Sequence, residues 1–192
     1  MLVKNIIVYD FDGTLIKGDS IKLYCRWLSC CYFEFLLIYH LWFRFLKVFN
    51  SKLDLKHSRV KFFHKRYLKR NYDLKRFNKI LENNLFSDSL SFVNKDKIDS
   101  DVFIVSASFS EIINDFVKET FNVQLISNKI ESYTIDSDIN FTKKVDALKS
   151  SIKSNFKIIK GYGNSPGDYS FMKISINPYL RLKNGKIIKW QT

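Results

Sequence analysis

The segment from Val3 to Tyr9 ends in two closely spaced aspartates, and it constrains the fold more than any other stretch of this chain. It is short and rich in β-branched apolar residues, which is typical of a strand buried on both faces of a parallel sheet. Asp10 and Asp12 follow directly, and Gly13 relaxes the turn after them. Ligands of parallel sheets bind at the carboxyl ends of the strands, so the position of these acids indicates a functional site.

Further strands and helices alternate along the second half of the chain. Strands are predicted at 101–108 and 156–163, and more weakly at 122–127 and 173–180. Helix-like stretches occupy 110–121 and 143–154. This alternation predicts an α/β fold with a Rossmann-like parallel sheet that is covered by helices on both sides.

Residues 20–95 interrupt that alternation, because they have a helical pattern and no strand pattern. A helical block inserted after the first strand would lie over the carboxyl edge of the sheet as a cap. The predicted organisation is therefore an α/β core formed by residues 1–19 and 96–192, with a small helical cap formed by residues 20–95.

The cap has an apolar part and a basic part. Trp27–Phe49 is strongly apolar, but its longest stretch without charge, Phe35–Phe43, is far shorter than the roughly 20 residues that span a bilayer. No transmembrane span is predicted; the segment is either a buried cap helix or a helix that rests in a membrane interface. Lys56–Lys79 carries ten Lys/Arg and one acid, and it is either a solvated face or an electrostatic handle for anions.

The charge balance favours anionic partners. Lys+Arg number 32 against 19 Asp+Glu, a net charge of +13, which suits phosphorylated substrates, an acidic membrane surface or nucleic acid. A nucleic-acid partner is disfavoured, because the basic block lacks a recognisable nucleic-acid-binding pattern. The three cysteines lie within one hydrophobic stretch and indicate reduced thiols, and no signal peptide is recognised. We expect a cytoplasmic protein, with peripheral contact at the inner face of the membrane as an alternative.

Asp10 and Asp12 can be interpreted chemically or structurally. Two carboxylates held close together cannot both ionise freely unless a cation neutralises them or one of them keeps its proton. A magnesium ion could keep Asp10 deprotonated as a nucleophile, and Asp12 could hold a proton for a leaving oxygen. The structural alternative is a pair of turn acids that ends a strand.

The string "DFDGTL" at 10–15 resembles the first signature of the haloacid dehalogenase-like superfamily, whose phosphatases use an aspartate nucleophile. The other signatures follow in the expected order, as "IVSAS" at 104–108, "TKKVDALK" at 142–149 and "GYGNSPGDYSFM" at 161–172. The resemblance covers nearly the whole chain except the cap. The flanks "TLIKGDS" and "VSASFSEII" are most similar to subfamily IB, which contains phosphoserine phosphatase-like and phosphatidylglycerophosphatase C-like proteins.

This resemblance implies a Mg2+-dependent phosphomonoesterase that works through an aspartyl-phosphate. Its substrate would be a small phosphorylated metabolite or a lipid-linked phosphate. The implied catalytic residues are Asp10 and Asp12; the implied phosphate-binding residues are Gly13, Ser106, Ala107 and Lys144, with Lys143 as the competing motif lysine; the implied magnesium ligands are Asp10, Asp12, Asn164 and Asp168.

The chain departs from the family pattern at Asn164, where the family usually has an aspartate. An amide oxygen can ligate magnesium but brings no negative charge, so we expect a lower metal affinity. The alternatives to an active enzyme are a catalytically weak or inactive binding or regulatory module, or a nucleic-acid end phosphatase.

Three further polar residues flank the motifs. Asp19 is expected either to cap the helix that starts at Ser20 or to meet substrate near the cap hinge. Ser108 and Ser110 are expected to cap the helix that follows the second strand.

Overall fold

The computed structural model of the protein describes residues 3–37, 74–132, 138–140 and 142–191, together with positions 41, 45 and 48. Its strands are β1 Lys4–Tyr9, β2 Asp101–Phe109, β3 Gln124–Asn128, β4 Phe156–Gly163, β5 Asn177–Arg181 and β6 Ile187–Lys189. Its helices are α1 Ser20–Cys31, α2 Phe33–Leu37, α3 Leu74–Asn83, α4 Ser89–Asp96, α5 Ser110–Phe121, α6 Lys143–Ser151 and α7 Tyr169–Lys173, with a 3-10 turn at Pro166–Asp168.

The strands form one six-stranded sheet in the order β3-β2-β1-β4-β5-β6. Every neighbouring pair is parallel except β5 and β6, which are antiparallel. β1 lies between β2 and β4, so the loop that carries the two aspartates leaves from the middle of the sheet. The predicted α/β class with a mainly parallel, Rossmann-like sheet is confirmed.

Both faces of β1 are buried, as its sequence predicts. Ile6 and Val8 pack on one face, with α6 and α7, and Ile7 and Tyr9 pack on the opposite face, with α1 and α5. A strand that buries alternate residues on both sides needs apolar side chains at nearly every position, which explains the apolar run. This packing fixes where β1 ends and therefore where the acids begin.

Most of the predicted elements are confirmed, but the C-terminal part differs. The strand predicted at 173–180 begins only at Asn177, because Lys173 is the last residue of α7. β6 was not predicted, since it has only three residues and its side chains are half-buried or exposed. It pairs with β5 after a turn in which Gly185 has a φ of 88°, a conformation that favours glycine.

The chain leaves the core after β1 and returns close to the point where it left. The amide N–H of Lys17 donates to the Asn84 carbonyl oxygen at 2.6 Å, and that of Phe86 donates to the Leu15 carbonyl oxygen at 3.1 Å. An isolated antiparallel bridge between Ile16 and Leu85 therefore joins the two ends of the insert. The limits 20–95 stay a prediction.

Helix α4, inside the predicted cap limits, packs on the core. It contacts β2 and α5. Its last residue, the buried Asp96, accepts hydrogen bonds from the Tyr9 hydroxyl at 2.6 Å and from Lys160 Nζ at 2.5 Å. These bonds join the helix to β1 and β4, so α4 is attached directly to the sheet.

The apolar segment predicted as a helix from Trp27 is interrupted. Helix α1 ends at Cys31, and Tyr32 is extended, with a φ of −139° and a ψ of 111°. Most of 38–73, which includes the first part of the basic run, lies outside the described residues. Within the described part of the chain, no helix is both long and apolar enough to cross a bilayer.

Candidate active site

Asp10 lies at the carboxyl end of β1, and hydrogen bonds fix both its backbone and its side chain. Its amide N–H donates to the Tyr162 carbonyl oxygen at 2.8 Å, which extends the β1–β4 pairing by one residue. Its side chain is buried, with Oδ1 2.6 Å from Lys144 Nζ and Oδ2 accepting from the Thr14 hydroxyl at 3.1 Å. The carboxylate is thus fixed in orientation at the centre of the sheet edge.

Lys144 is the motif lysine that reaches this carboxylate. It lies in the first turn of α6, is only 3% exposed, and places Nζ 2.6 Å from Asp10 Oδ1 and 2.6 Å from Asp168 Oδ1. Its neighbour Lys143 is exposed. One buried ammonium group therefore joins the third motif to the first and the fourth.

The three charges perturb one another strongly. Burial, together with the charge of Asp168, raises the pKa of Asp10 to about 7, against the opposing effect of Lys144. Burial alone would lower the pKa of Lys144, but Asp10 and Asp168 raise it overall. Lys144 is therefore protonated at neutral pH. A carboxylate with a raised pKa beside a fixed cation is a common feature of catalytic sites.

Asp168 closes the fourth motif into a turn. Its Oδ2 accepts hydrogen bonds from the Asn164 amide at 3.0 Å, the Ser165 amide at 3.0 Å and the Ser165 hydroxyl at 2.9 Å. Its Oδ1 accepts from Lys144. The sequence predicts Asp168 as a magnesium ligand; in the structure both of its oxygens are engaged by protein donors.

Asn164 and Gly13 lie against each other and connect the fourth motif to the first. Gly13 has a φ of 75°, a conformation that side chains disfavour. A Cβ built on Gly13 would lie 2.0 Å from Asn164 Nδ2, so no larger residue fits beside this amide. The structure therefore places the Asn164 side chain next to the loop that follows Asp10 and Asp12.

Asp12 is held by the start of the insert. Its Oδ1 accepts from the Ser20 amide at 2.7 Å and its Oδ2 from the Ser20 hydroxyl at 3.1 Å. The Ser20 hydroxyl also shares a short hydrogen bond with that of Ser108 in β2. Both serines are fully buried. Asp19 caps α1 through a bond from the Lys22 amide at 3.0 Å, which confirms that part of its prediction.

Ser106 and Ala107 lie near the end of β2, beside the Asp10 loop. Ile104 pairs with Tyr9, so Ser106 lies two residues further toward the carboxyl edge. The buried Ser106 hydroxyl accepts from the Ser108 amide at 3.0 Å. The Ala107 carbonyl accepts from Asn128 Nδ2 at 2.9 Å.

The predicted capping roles of Ser108 and Ser110 are wrong. Helix α5 begins at Ser110, and its N-cap is Phe109, with no side-chain cap. Ser108 instead bonds Ser20, and the Ser110 hydroxyl donates to Glu111 Oε2 at 3.1 Å. The helix starts at Ser110 as predicted, but strand β2 runs one residue further than predicted, so Phe109 takes the N-cap position.

Four supporting contacts were not predicted: those of Thr14 on Asp10, Ser20 on Asp12, Ser108 on Ser20 and Ser165 on Asp168. The Thr14 and Ser165 bonds are local, so the motif strings already contain both partners. The contacts of Ser20 and Ser108 join segments far apart in the chain, and no sequence pattern shows that they meet.

The donors around Asp10 fit a hard cation with few protein ligands. The described residues include no group of three His, Cys, Asp or Glu side chains able to hold a metal. The Asp10 carboxylate and the Asn164 amide both flank the 10–13 loop, and all of their ligating atoms would be oxygens. Mg2+ prefers oxygen and usually keeps several waters, so such a sparse site suits it better than a transition metal.

Comparison with known structures shows a shared fold at low sequence identity. A protein of unknown function from Bordetella pertussis Tohama I is 14% identical, with a TM-score of 0.73 over 92% of this chain and 89% of that chain. A substrate-bound phosphoserine phosphatase is 15% identical, with a TM-score of 0.55 over 93% and 86%. A phospho-aspartyl intermediate analogue of phosphoserine phosphatase is 15% identical, with a TM-score of 0.54 over 92% and 86%.

The sequence comparisons agree with the resemblance read from the motifs. Proteins of curated function give no significant match. The family model described as haloacid dehalogenase-like hydrolase matches residues 7–173, which include all four motifs and the insert between the first two. The chain belongs to the haloacid dehalogenase-like hydrolase family.

Proposed function

We propose that the protein is a Mg2+-dependent phosphomonoesterase that forms an aspartyl-phosphate on Asp10. The observation that carries this proposal is the Lys144 ammonium group, which lies 2.6 Å from both Asp10 and Asp168 at the edge where the other motif loops end. Phosphoryl transfer depends mainly on positioning and on neutralising charge, and this arrangement supplies both. The phosphoserine phosphatase structures, which share the fold, motivate a phosphorylated small molecule as substrate.

In the first step, an Asp10 oxygen attacks phosphorus and the bond to the leaving alcohol breaks. Lys144 and Thr14 hold the carboxylate in one orientation, and Lys144 offsets the repulsion between carboxylate and phosphate. We assign phosphate oxygens to the Ser106 hydroxyl and to the Ala107 amide. The Gly13 amide, which the sequence also predicts as a donor, already donates to the Ile16 carbonyl oxygen at 2.9 Å. Asp12 gives its proton to the leaving oxygen, and general-acid help of this kind is worth about 10²–10⁴-fold.

In the second step, Asp12 takes a proton from water, which attacks phosphorus and breaks the bond to Asp10. The products are inorganic phosphate and the original carboxylate. Asp12 must therefore face first the leaving oxygen and then the water, and the two bonds from Ser20 fix its carboxylate. In this proposal Ser20 is a positioning residue for the general acid.

A magnesium ion would be held by the Asp10 carboxylate, the Asp12 backbone carbonyl and the Asn164 amide oxygen. When bound, it supplies positive charge that helps to bind the phosphoryl group and keeps Asp10 ionised. Asp168 stays a predicted ligand, and its hydrogen bonds with Lys144 and with the Asn164 amide also position those two residues.

Ser20→Ala is expected to lower kcat/KM for an alkyl phosphate about tenfold or more. Asp12 then keeps only the bond from the backbone amide of residue 20, so its carboxylate is less precisely directed at the leaving oxygen. The loss should be smaller for an aryl phosphate, whose leaving group needs less protonation. Steady-state kinetics with both substrates measures the difference. Ser110→Ala, the same change at the first residue of α5, is the matched control. Equal losses of kcat/KM for the two substrates would show that Ser20 does not position the general acid.

Asn164→Asp is expected to lower the Mg2+ dissociation constant about tenfold, because the new carboxylate adds a charge beside the metal oxygens. Isothermal titration of metal-free protein measures it, and Asn184→Asp on the β5–β6 turn is the control. Unchanged or weaker binding in the Asn164 variant would show that this side chain is not a ligand.

The competing proposal of an inactive binding module rests on Asn164 alone. An aryl-phosphate assay with magnesium, run beside Asp10→Asn, separates the two. Turnover that disappears in the variant supports the enzyme, whereas equal background rates in both proteins support the binding module. Phosphorylated oligonucleotides added to the substrate panel test the third possibility, a nucleic-acid end phosphatase.

A lipid-linked phosphate is the second candidate substrate, because the cap exposes apolar side chains. The exposed fractions are 74% for Phe33, 46% for Leu37, 66% for Leu41, 56% for Phe45 and 81% for Val48. In a single helix, this spacing of four or three residues would put them on one face, which suits the interface of an anionic membrane; the basic run follows in the sequence. Co-sedimentation with acidic liposomes tests this; absence of binding at moderate salt would exclude it.

A further inference from the structure

A second cavity opens beside the candidate active site, with a volume of about 450 Å³. It lies between the 13–18 loop, the returning end of the insert and the β5–β6 turn. Because β5 is parallel to β1, the turn after β5 lies at the same edge of the sheet as Asp10. The residues that matter most in its lining are Gly13, Lys17, Phe86, Asn164, Arg181 and Lys183.

The cavity adjoins the candidate active site. Gly13 and Asn164 line it, and the same two residues make the close contact between the first and fourth motifs. The cavity and the candidate reaction site therefore share these two residues.

The lining is basic. None of the described residues that line the cavity is acidic. Arg181 forms an ion pair with Asp88 at 2.9 Å, so its charge is largely balanced. Lys17 and Lys183 are exposed and form no ion pair with any described residue. At the mouth of the cavity, two lysine charges thus have no balancing acid among the residues that the structure describes.

Contacts within the protein hold the cavity wall together. Two cations make cation–π contacts with the Phe86 ring. The Arg181 guanidinium lies 4.4 Å from the ring centroid, and Lys17 Nζ lies 5.9 Å from it. Arg181 also donates to the Gly185 carbonyl oxygen at 2.9 Å, which ties it to the turn that carries Lys183. The buried Arg181 Nε has no acceptor among the described residues, so this N–H group could donate to a ligand.

We propose that this cavity binds a second anionic group of the substrate, a phosphate that is not cleaved, with Lys17 and Lys183 as specificity-determining residues. The inference rests on the proposed phosphatase function and narrows its substrate class to molecules with two anionic groups. A lysine ammonium is a compact donor for phosphate. Two of them at the mouth of one cavity attract an anion more strongly than the same charges dispersed over a solvated surface.

The test compares alkanediol bisphosphates of increasing length with alkyl monophosphates of matched length. We expect the wild-type kcat/KM to be at least about tenfold higher for the best bisphosphate, and the preference to weaken as salt screens the lysines. Lys17→Ala and Lys183→Ala should each reduce the ratio of the two kcat/KM values about fivefold. Lys186→Ala, on the same turn but outside the cavity lining, should leave the ratio unchanged.

Binding separates this inference from the proposed function. Isothermal titration of the Mg2+-loaded protein with alkylene bisphosphonates and matched alkyl phosphonates needs no turnover. Tighter binding of the bisphosphonate that is lost in the two lysine variants supports the cavity even if no substrate is hydrolysed. Equal affinity of the two ligands at every length, or a preference that survives both substitutions, would overturn it.

Discussion

Asp10→Asn is expected to lower phosphatase turnover at least about a thousandfold, since the amide lacks the nucleophilic oxygen that forms the covalent intermediate. The fold should survive. Asparagine has the same shape, and its carbonyl oxygen can still accept a bond from Lys144 or Thr14. Steady-state kinetics on an aryl phosphate and a thermal melt followed by circular dichroism measure the two effects on the same protein.

Asp115→Asn is the matched control, because it makes the same chemical change on the exposed face of α5. It should retain wild-type turnover. An Asp10→Asn protein that melts like wild type and keeps more than roughly a tenth of the activity would exclude Asp10 as the nucleophile.

Lys144→Met is expected to cause the largest loss of stability among these variants, about 3–5 kcal/mol at neutral pH, together with loss of turnover. Methionine keeps much of the volume of the side chain but leaves Asp10 and Asp168 buried without their shared cation. Breaking a buried ion pair from one side costs this much because the remaining charge is desolvated and uncompensated. Urea denaturation measures the change in the free energy of unfolding.

The loss in Lys144→Met should depend on pH, with a defined sign. The pKa of Asp10 is already raised to about 7 in the folded protein, chiefly by burial, and Lys144 is the group that opposes this rise. Without Lys144 the folded-state pKa rises further, so the folded state binds a proton more tightly than the unfolded state. Stability then falls as pH increases from about 4 through and beyond 7, and the deficit should be smaller at about pH 5 than at about pH 8.

Lys143→Met is the control for this variant, because it changes the neighbouring lysine, which is exposed. It should have a small effect on stability and on turnover. A deficit for Lys144→Met that is the same at both pH values would show that the two carboxyl groups do not carry the penalty, and the electrostatic account of the site would then be wrong.

The sequence was sufficient to predict the sheet because its inner strands are buried on both faces. Ile6 and Val8 face one layer of helices, and Ile7 and Tyr9 face the other. The continuous apolar run therefore indicates that both faces of the strand are buried. The motif acids were predictable for the same reason, since the end of a buried strand sets where its loop begins. β6 could not be predicted, because a short, half-exposed strand has no such pattern.

The interruption of the apolar cap segment could not be predicted either. Tyr32 is extended between α1 and α2, although no glycine or proline marks the break. Its ring packs 5.7 Å from that of Phe35. Tertiary packing therefore sets this boundary against a sequence that favours a continuous helix.

The support around the site depends on contacts between distant segments. Ser20 and Ser108 lie 88 positions apart and meet only because the insert starts beside the end of β2. Which of Lys143 and Lys144 contacts the acids likewise depends on which face of α6 is turned to the sheet, and in the structure Lys144 bonds Asp10 and Asp168. The motifs could thus be found from the sequence, whereas the residues that contact them from distant segments are known only from the fold.

The central claim is that Asp10 carries the phosphoryl group during turnover, and trapping that group tests it most directly. The protein is mixed with an aryl phosphate and magnesium, quenched rapidly and reduced with borohydride, which converts an acyl phosphate into an alcohol. Mass spectrometry of the tryptic peptide that contains Asp10 and Asp12, and of the one that contains Asp168, then locates the change. We predict reduction at Asp10 alone, absent in Asp10→Asn; reduction at Asp12 or Asp168, or turnover without any trapped residue, would contradict the account.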